Sequence, residues 1–182
     1  MTLVLDEIER WAAEARARDA VEDRIRQRDL RRAASGDAGF TECLLDLAEQ
    51  AGTVVISTIR ATSHAGRIVI VGSDFVGLRT MGDRLVLIRF KTIADVSPAP
   101  TARVTATGER APSRIEVGLS DVLESAANAG SRLSLRCGDR VLNGDLRSVG
   151  RDVIIVWAPG PPPRPSYVML TSVSEVSFFG SG

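Results

Sequence analysis

Between about Leu5 and Arg32 the chain carries no Gly or Pro, and acids stand four positions ahead of arginines: Asp6 before Arg10, Glu14 before Arg18, Glu22 before Arg26. Such pairs each support a helix by a few tenths of a kcal/mol. The apolar stripe is narrow. Ile8, Trp11, Ala12 and Ala15 share a face, but Arg18 and Glu22 interrupt its continuation through Val21 and Ile25. The pattern predicts a long, solvated N-terminal helix. It is either held to the body by Trp11 or acts as a dimerising or partner-binding arm. The glycines in Ala33–Gly39 then end it in a hinge.

From Thr41, a plausible N-cap, the spacing of Leu44, Leu45 and Ala48 predicts a short helix that stops at Gly52. The period then changes from helical to β. Thr53–Arg60, Arg67–Val71, Phe75–Thr80, Leu85–Phe90 and Ile93–Val96 are rich in Val, Ile and Thr and read as strands, with glycines between them. An open sheet of five short strands would leave edges and an apolar face exposed, so closure into a small barrel is expected. Residues 98–117 hold Pro98, Pro100 and Pro112 and read as a linker, with a short pairing at Arg103–Thr107. A helix at 119–129 follows, then strands near 131–137, 140–149, 152–157, 166–170 and 173–179.

The second set of elements is a copy of the first. Ala48, Ala51, Gly52, Gly66, Val71, Gly72 and Asp74 meet Ala126, Ala129, Gly130, Gly144, Val149, Gly150 and Asp152, all 78 positions on. Conserved spacing of Gly and Asp implies a repeated backbone geometry. Ile93 and Val96 match Val173 and Val176 at an offset of 80, because the proline-rich tract Ala158–Pro165 lengthens the last hairpin. Leu85–Ile88 and Val153–Trp157 are apolar at every position, so a helix, the other copy or another chain must cover their outer faces.

Composition narrows the function. The 23 basic and 23 acidic residues cancel, so no general field attracts nucleic acid or anionic lipid, and a nucleic-acid site would be a local patch. Lys91 is the only lysine. Cys43 and Cys137 are too few for a disulfide framework, and the acidic start of the chain is unlike a signal peptide, which together suggest a cytoplasmic protein. No run approaches the roughly 20 apolar residues that span a bilayer.

The segment GRIVIVGSDFVGL followed by LVLIRFKTIADV resembles the two halves of the Sm-like signature, and GDLRSVGRDVIIV with YVMLTSVSEV resembles it more weakly. The resemblance implies a mainly β fold: two tandem Sm-like five-stranded small barrels at 40–97 and 118–182, each preceded by a short helix. Residues 1–39 form the charged helix and hinge, and 98–117 the linker. It also implies edge-to-edge assembly and single-stranded RNA held between two loops. Asp74 and Arg89 match the family's Asp and Arg, but Leu78 and Phe90 replace its Asn and Gly. In the second copy only Asp152 is kept, with Val156 and Met169 at the Asn and Arg positions.

Candidate nucleic-acid contacts are therefore Asp74, Arg79, Arg89, Arg147 and Arg151. Beside that reading, Asp74 and Asp152 read as caps of the turn into the third strand, and Arg89 as a solvent-facing or ion-paired residue at a strand end. Phe75, Phe90, Trp157, Phe178 and Phe179 are core residues or stacking platforms. His64, the only histidine, reads as a surface loop residue. No nucleophile–base set, metal cluster or phosphate-binding loop is visible. No catalytic residue, metal or cofactor is expected. The sequence points to a non-enzymatic binding protein for RNA, or alternatively to a protein-interaction adaptor. A homo-oligomer through edge strands or the N-terminal helix fits either role, and no membrane partner is expected.

Overall fold

The computed structural model describes residues 39–99 and 113–179. The expected N-terminal helix and the Arg103–Thr107 pairing lie outside the described residues. Helix α1 (Phe40–Ala51) begins one residue before Thr41, which is therefore inside it rather than capping it. It turns Leu44 and Ala48 into a core. Strands β1 (Val54–Thr58), β2 (Ser63–Val71), β3 (Phe75–Thr80) and β4 (Leu85–Arg89) follow, then a 3-10 turn and β5 (Ile93–Pro98). A two-residue strand, β6 (Ser113–Arg114), precedes helix α2 (Leu119–Asn128). Then come β7 (Arg132–Cys137), β8 (Arg140–Val149), β9 (Val153–Ala158), β10 (Arg164–Met169), a second 3-10 turn and β11 (Val173–Phe178).

The two halves pair their strands alike. β1 to β4 run as antiparallel neighbours with β5 returning to β1, and β7 to β10 do the same with β11 returning to β7. Both halves carry a bulge at the same place in their second strand, between Ile68 and Ile70 and between Leu146 and Ser148. Gly52 and Gly130, after the two helices, share left-handed φ values of 62° and 65°, which suit glycine. A side chain at Gly66 or Gly144 would run into the carbonyl of Arg79 or Trp157 across the sheet. The register fixes equivalent positions: Ser57 pairs with Asp95 and Thr58 with Ile93, as Arg136 does with Glu175 and Cys137 with Val173. Thr92 Oγ1 donates to the carbonyl of Arg89, and Ser172 Oγ donates to that of Met169.

Two separate closed barrels do not form. β11 pairs antiparallel with β4, placing Phe178 opposite Leu85 and Glu175 opposite Ile88. One sheet of eleven strands results, with its main path ordered β10-β9-β8-β7-β11-β4-β3-β2-β1-β5 and β6 added in parallel to β2. The physical reason lies in β3 and β4, which are buried on both faces. Val76, Leu78, Val86 and Ile88 pack in the first core with Leu44 and Ile56. Phe75 and Leu87 instead join the second core, beside Leu119 and Leu123 of α2. Each half thus covers apolar surface that a closed barrel would leave in water, and each fully buried side chain of this size contributes about 1.5–3 kcal/mol.

Candidate functional site

The residues nominated for base contact are engaged elsewhere or scattered. Asp74 Oδ1 accepts the backbone N–H of Leu119 at 2.7 Å, and its Oδ2 accepts Arg89 Nη1 at 2.9 Å. Arg89 Nη2 also donates to the carbonyl of Leu170 at 3.4 Å. A carboxylate at the first turn of a helix satisfies an otherwise unpaired N–H and favours the helix dipole. Asp74 and Arg89 therefore tie β3 and β4 of the first half to the helix and last turn of the second. Arg79 pairs at 2.8 Å with exposed Asp83. Arg147 lies 5.5 Å from the centre of the Trp157 ring, a cation–π distance. Arg151 is exposed in the turn before β9.

The most polar point of the joint is one that local sequence patterns do not disclose. Glu175 is only 4% exposed. Its Oε1 accepts Thr62 Oγ1 at 2.6 Å, while Oε2 contacts His64 Nε2 at 2.9 Å and accepts Arg136 Nε at 3.0 Å. Burial by itself raises its pKa, but the hydrogen bonds from His64 and Thr62, with the charges of His64 and Arg136, outweigh burial and hold it below the usual carboxylate value. His64 belongs to β2 and is half-buried, not a surface loop residue, because Ser63–Ala65 extend the strand against β1. The one visible hint was a single charge in Val173–Phe179, among apolar residues and two serines, with Asp95 at the matching place in the first copy.

The same seat recurs in the second half, where no other described residue fills it. Cys137, Arg140, Leu142, Tyr167, Val168 and Ser172 line a recess of about 330 Å³ beside β10. Through the register they correspond to Thr58, Thr62, His64, Leu87, Ile88 and Thr92, the residues around which β11 and Glu175 dock on the first half. Among the described strands, β10 ends the strand path and pairs only with β9. Leu87 is 1% exposed, whereas its counterpart Tyr167 is 71% exposed and neighbouring Met169 is 64% exposed. Burial raises the pKa of the Cys137 thiol, against the lowering effects of a Ser172 hydrogen bond and the Arg140 charge. At neutral pH it remains a thiol.

Among the described residues no group of three His, Cys, Asp or Glu side chains could hold a metal ion, and no helix is long and apolar enough to cross a membrane. The one His–carboxylate contact among the described residues, His64 with Glu175, is closed inside the joint. No protein-family model matches the chain, and none of the curated proteins matches it.

Proposed function

We propose that the protein is a non-catalytic adaptor whose free β10 edge accepts an extended segment of a partner protein. One observation carries this: the seat occupied by β11 on the first half is repeated on the second, where no described strand covers it. Adding a strand supplies main-chain hydrogen bonds along the edge and side-chain pockets for selectivity. Leu170 N–H bonds to the carbonyl of Asp152 on the β9 side. Ladder donors alternate along a strand, so the N–H groups of Met169 and Tyr167 point away from β9. Exposed Trp157, Tyr167 and Met169 supply apolar contact around them. The two free cysteines, Cys43 and Cys137, suit a reducing compartment and favour the cytoplasm.

The test is selection of random peptides displayed on phage against the full chain, followed by binding of the enriched sequences to Tyr167→Pro. That change removes an outward donor and leaves the β9–β10 ladder intact. At least tenfold weaker binding to the variant supports the edge. Equal binding to both proteins overturns it. Salt-sensitive binding of single-stranded RNA, lost on replacing Arg147 and Arg151, would establish the nucleic-acid role instead.

A further inference from the structure

Resting on the adaptor reading, we infer that the β10 edge selects an acidic partner segment: an extended strand whose carboxylate lies opposite Val168 and meets Arg140, followed by an apolar side chain beside Tyr167. The template is inside the molecule. On the first half, β11 places Glu175 opposite Ile88 and Val176 opposite Leu87. The carboxylate enters the seat beside Thr62 and His64, and Val176 packs with Leu87 in the second core. On the second half, Val168 and Tyr167 stand where Ile88 and Leu87 stand. Arg140 replaces Thr62, and Leu142 replaces His64.

That exchange changes the selectivity of the seat. In the first half, the permanent cation at Glu175 is Arg136, from β7, which is part of the docking half rather than of the seat. In the second half the cation belongs to the seat itself. Arg140 is exposed and has no ion-pair partner among the described residues. An incoming carboxylate would therefore gain a charge-assisted hydrogen bond that a neutral side chain would not.

A second copy of this chain is the less suitable occupant. Its own equivalent of β11 is β5, which offers Asp95 at the Glu175 position, but Pro98 lies where Phe178 lies and Pro165 where Leu85 lies. Ala99 N–H bonds to Thr53 on the β1 side, so the nitrogen of Pro98 faces the free edge. By the same alternation, so does that of Pro165. The pair that closes the internal joint would have no N–H on either strand.

The probe is the acetylated, amidated nonapeptide Thr-Ser-Val-Ser-Glu-Val-Ser-Phe-Phe, which has the sequence of residues 171–179, together with its Glu→Gln and Glu→Lys analogues. Fluorescence anisotropy with the full chain should show the Glu peptide binding roughly tenfold or more tighter than the Gln peptide. In Arg140→Ser the ratio should fall to about one. In Arg140→Glu the Lys peptide should become the preferred ligand. Because each ratio is taken on one protein sample, a loss of folded fraction does not mimic the effect, and a thermal melt of each variant checks the fold. Equal affinity for Glu and Gln peptides, or a preference that survives Arg140→Ser, overturns the acidic selectivity while leaving the edge reading intact. Absence of binding by every peptide, with nothing enriched from phage, overturns both. Concentration-dependent dimerisation abolished by Asp95→Asn or Arg140→Ser would identify a second copy as the occupant and overturn the foreign segment.

Discussion

Asp74, in the turn before β3, accepts the N–H of Leu119 at 2.7 Å, so an acid of the first half caps the helix of the second. Its repeat partner, Asp152, is exposed before β9 and caps no helix among the described residues. Asp74→Ala should destabilise the protein by about 2–4 kcal/mol, since it removes a cap and strands the largely buried Arg89 guanidinium. Asp152→Ala should change stability by less than about 0.5 kcal/mol. Urea unfolding of the two variants measures the difference. Equal losses would mean that Asp74 acts only within its own turn.

Glu175 gives the protein an acid-sensitive joint. Its folded-state pKa lies below the ordinary value, so its contribution to stability is complete above the unfolded carboxylate range and disappears as pH falls through the folded pKa. At pH 7, Glu175→Gln should cost about 2–3 kcal/mol, somewhat less than rupture of a fully buried pair, because Arg136 keeps partial access to water. The gap between wild type and variant should narrow steadily toward pH 3. Unfolding free energies across that range check the sign; a gap that widened on acidification would contradict the assignment.

The free edges make a further prediction about assembly. Inside the molecule Leu85 faces Phe178 across the joint, and the matching free-edge positions hold Pro165 and Pro98. Prolines and a charge such as Asp95 are common guards against edge pairing. Replacing both, as Pro98→Val with Pro165→Leu, should restore the missing donors and drive concentration-dependent association. Sedimentation velocity should show larger species for the double variant at concentrations where the wild-type chain shows none.

Much of this architecture was legible because its signals are local. The period change after Gly52, the shared Gly and Asp spacing and the extra residues of Ala158–Pro165 all concern neighbours in sequence, and they placed most strands correctly. Leu85–Ile88 also announced, by being apolar at every position, that both faces are covered. What covers them was not legible. Phe75 and Leu87 meet Leu119 and Leu123 across the linker, and no periodicity encodes which of two similar cores a side chain enters. For the same reason two closed barrels looked sufficient, when pairing β11 with β4 removes two edges at once. Among the site residues, Asp74 and Arg89 were visible as matches to the Asp and Arg of the Sm-like signature but not as partners of each other. Glu175 was missed because Thr62 and His64 lie more than 100 positions away and sit in a stretch whose small polar residues resemble a loop.

Cys137 offers a direct readout of the open seat. It lines the recess beside β10, next to Ser172 and Arg140. In the first half its counterpart Thr58 is 4% exposed and hydrogen-bonds Thr62, which in turn meets Glu175 of the docked β11, so a strand bound at β10 should bury the thiol to a similar degree. Its raised pKa makes the thiolate scarce at pH 7, and alkylation by iodoacetamide should accelerate as pH rises. Because Cys43 is exposed, the experiment uses a Cys43→Ser background. Saturation with the acidic nonapeptide should slow alkylation of Cys137 by about tenfold or more, and Tyr167→Pro should abolish the protection. Protection that persisted in that variant would place the peptide somewhere other than the edge.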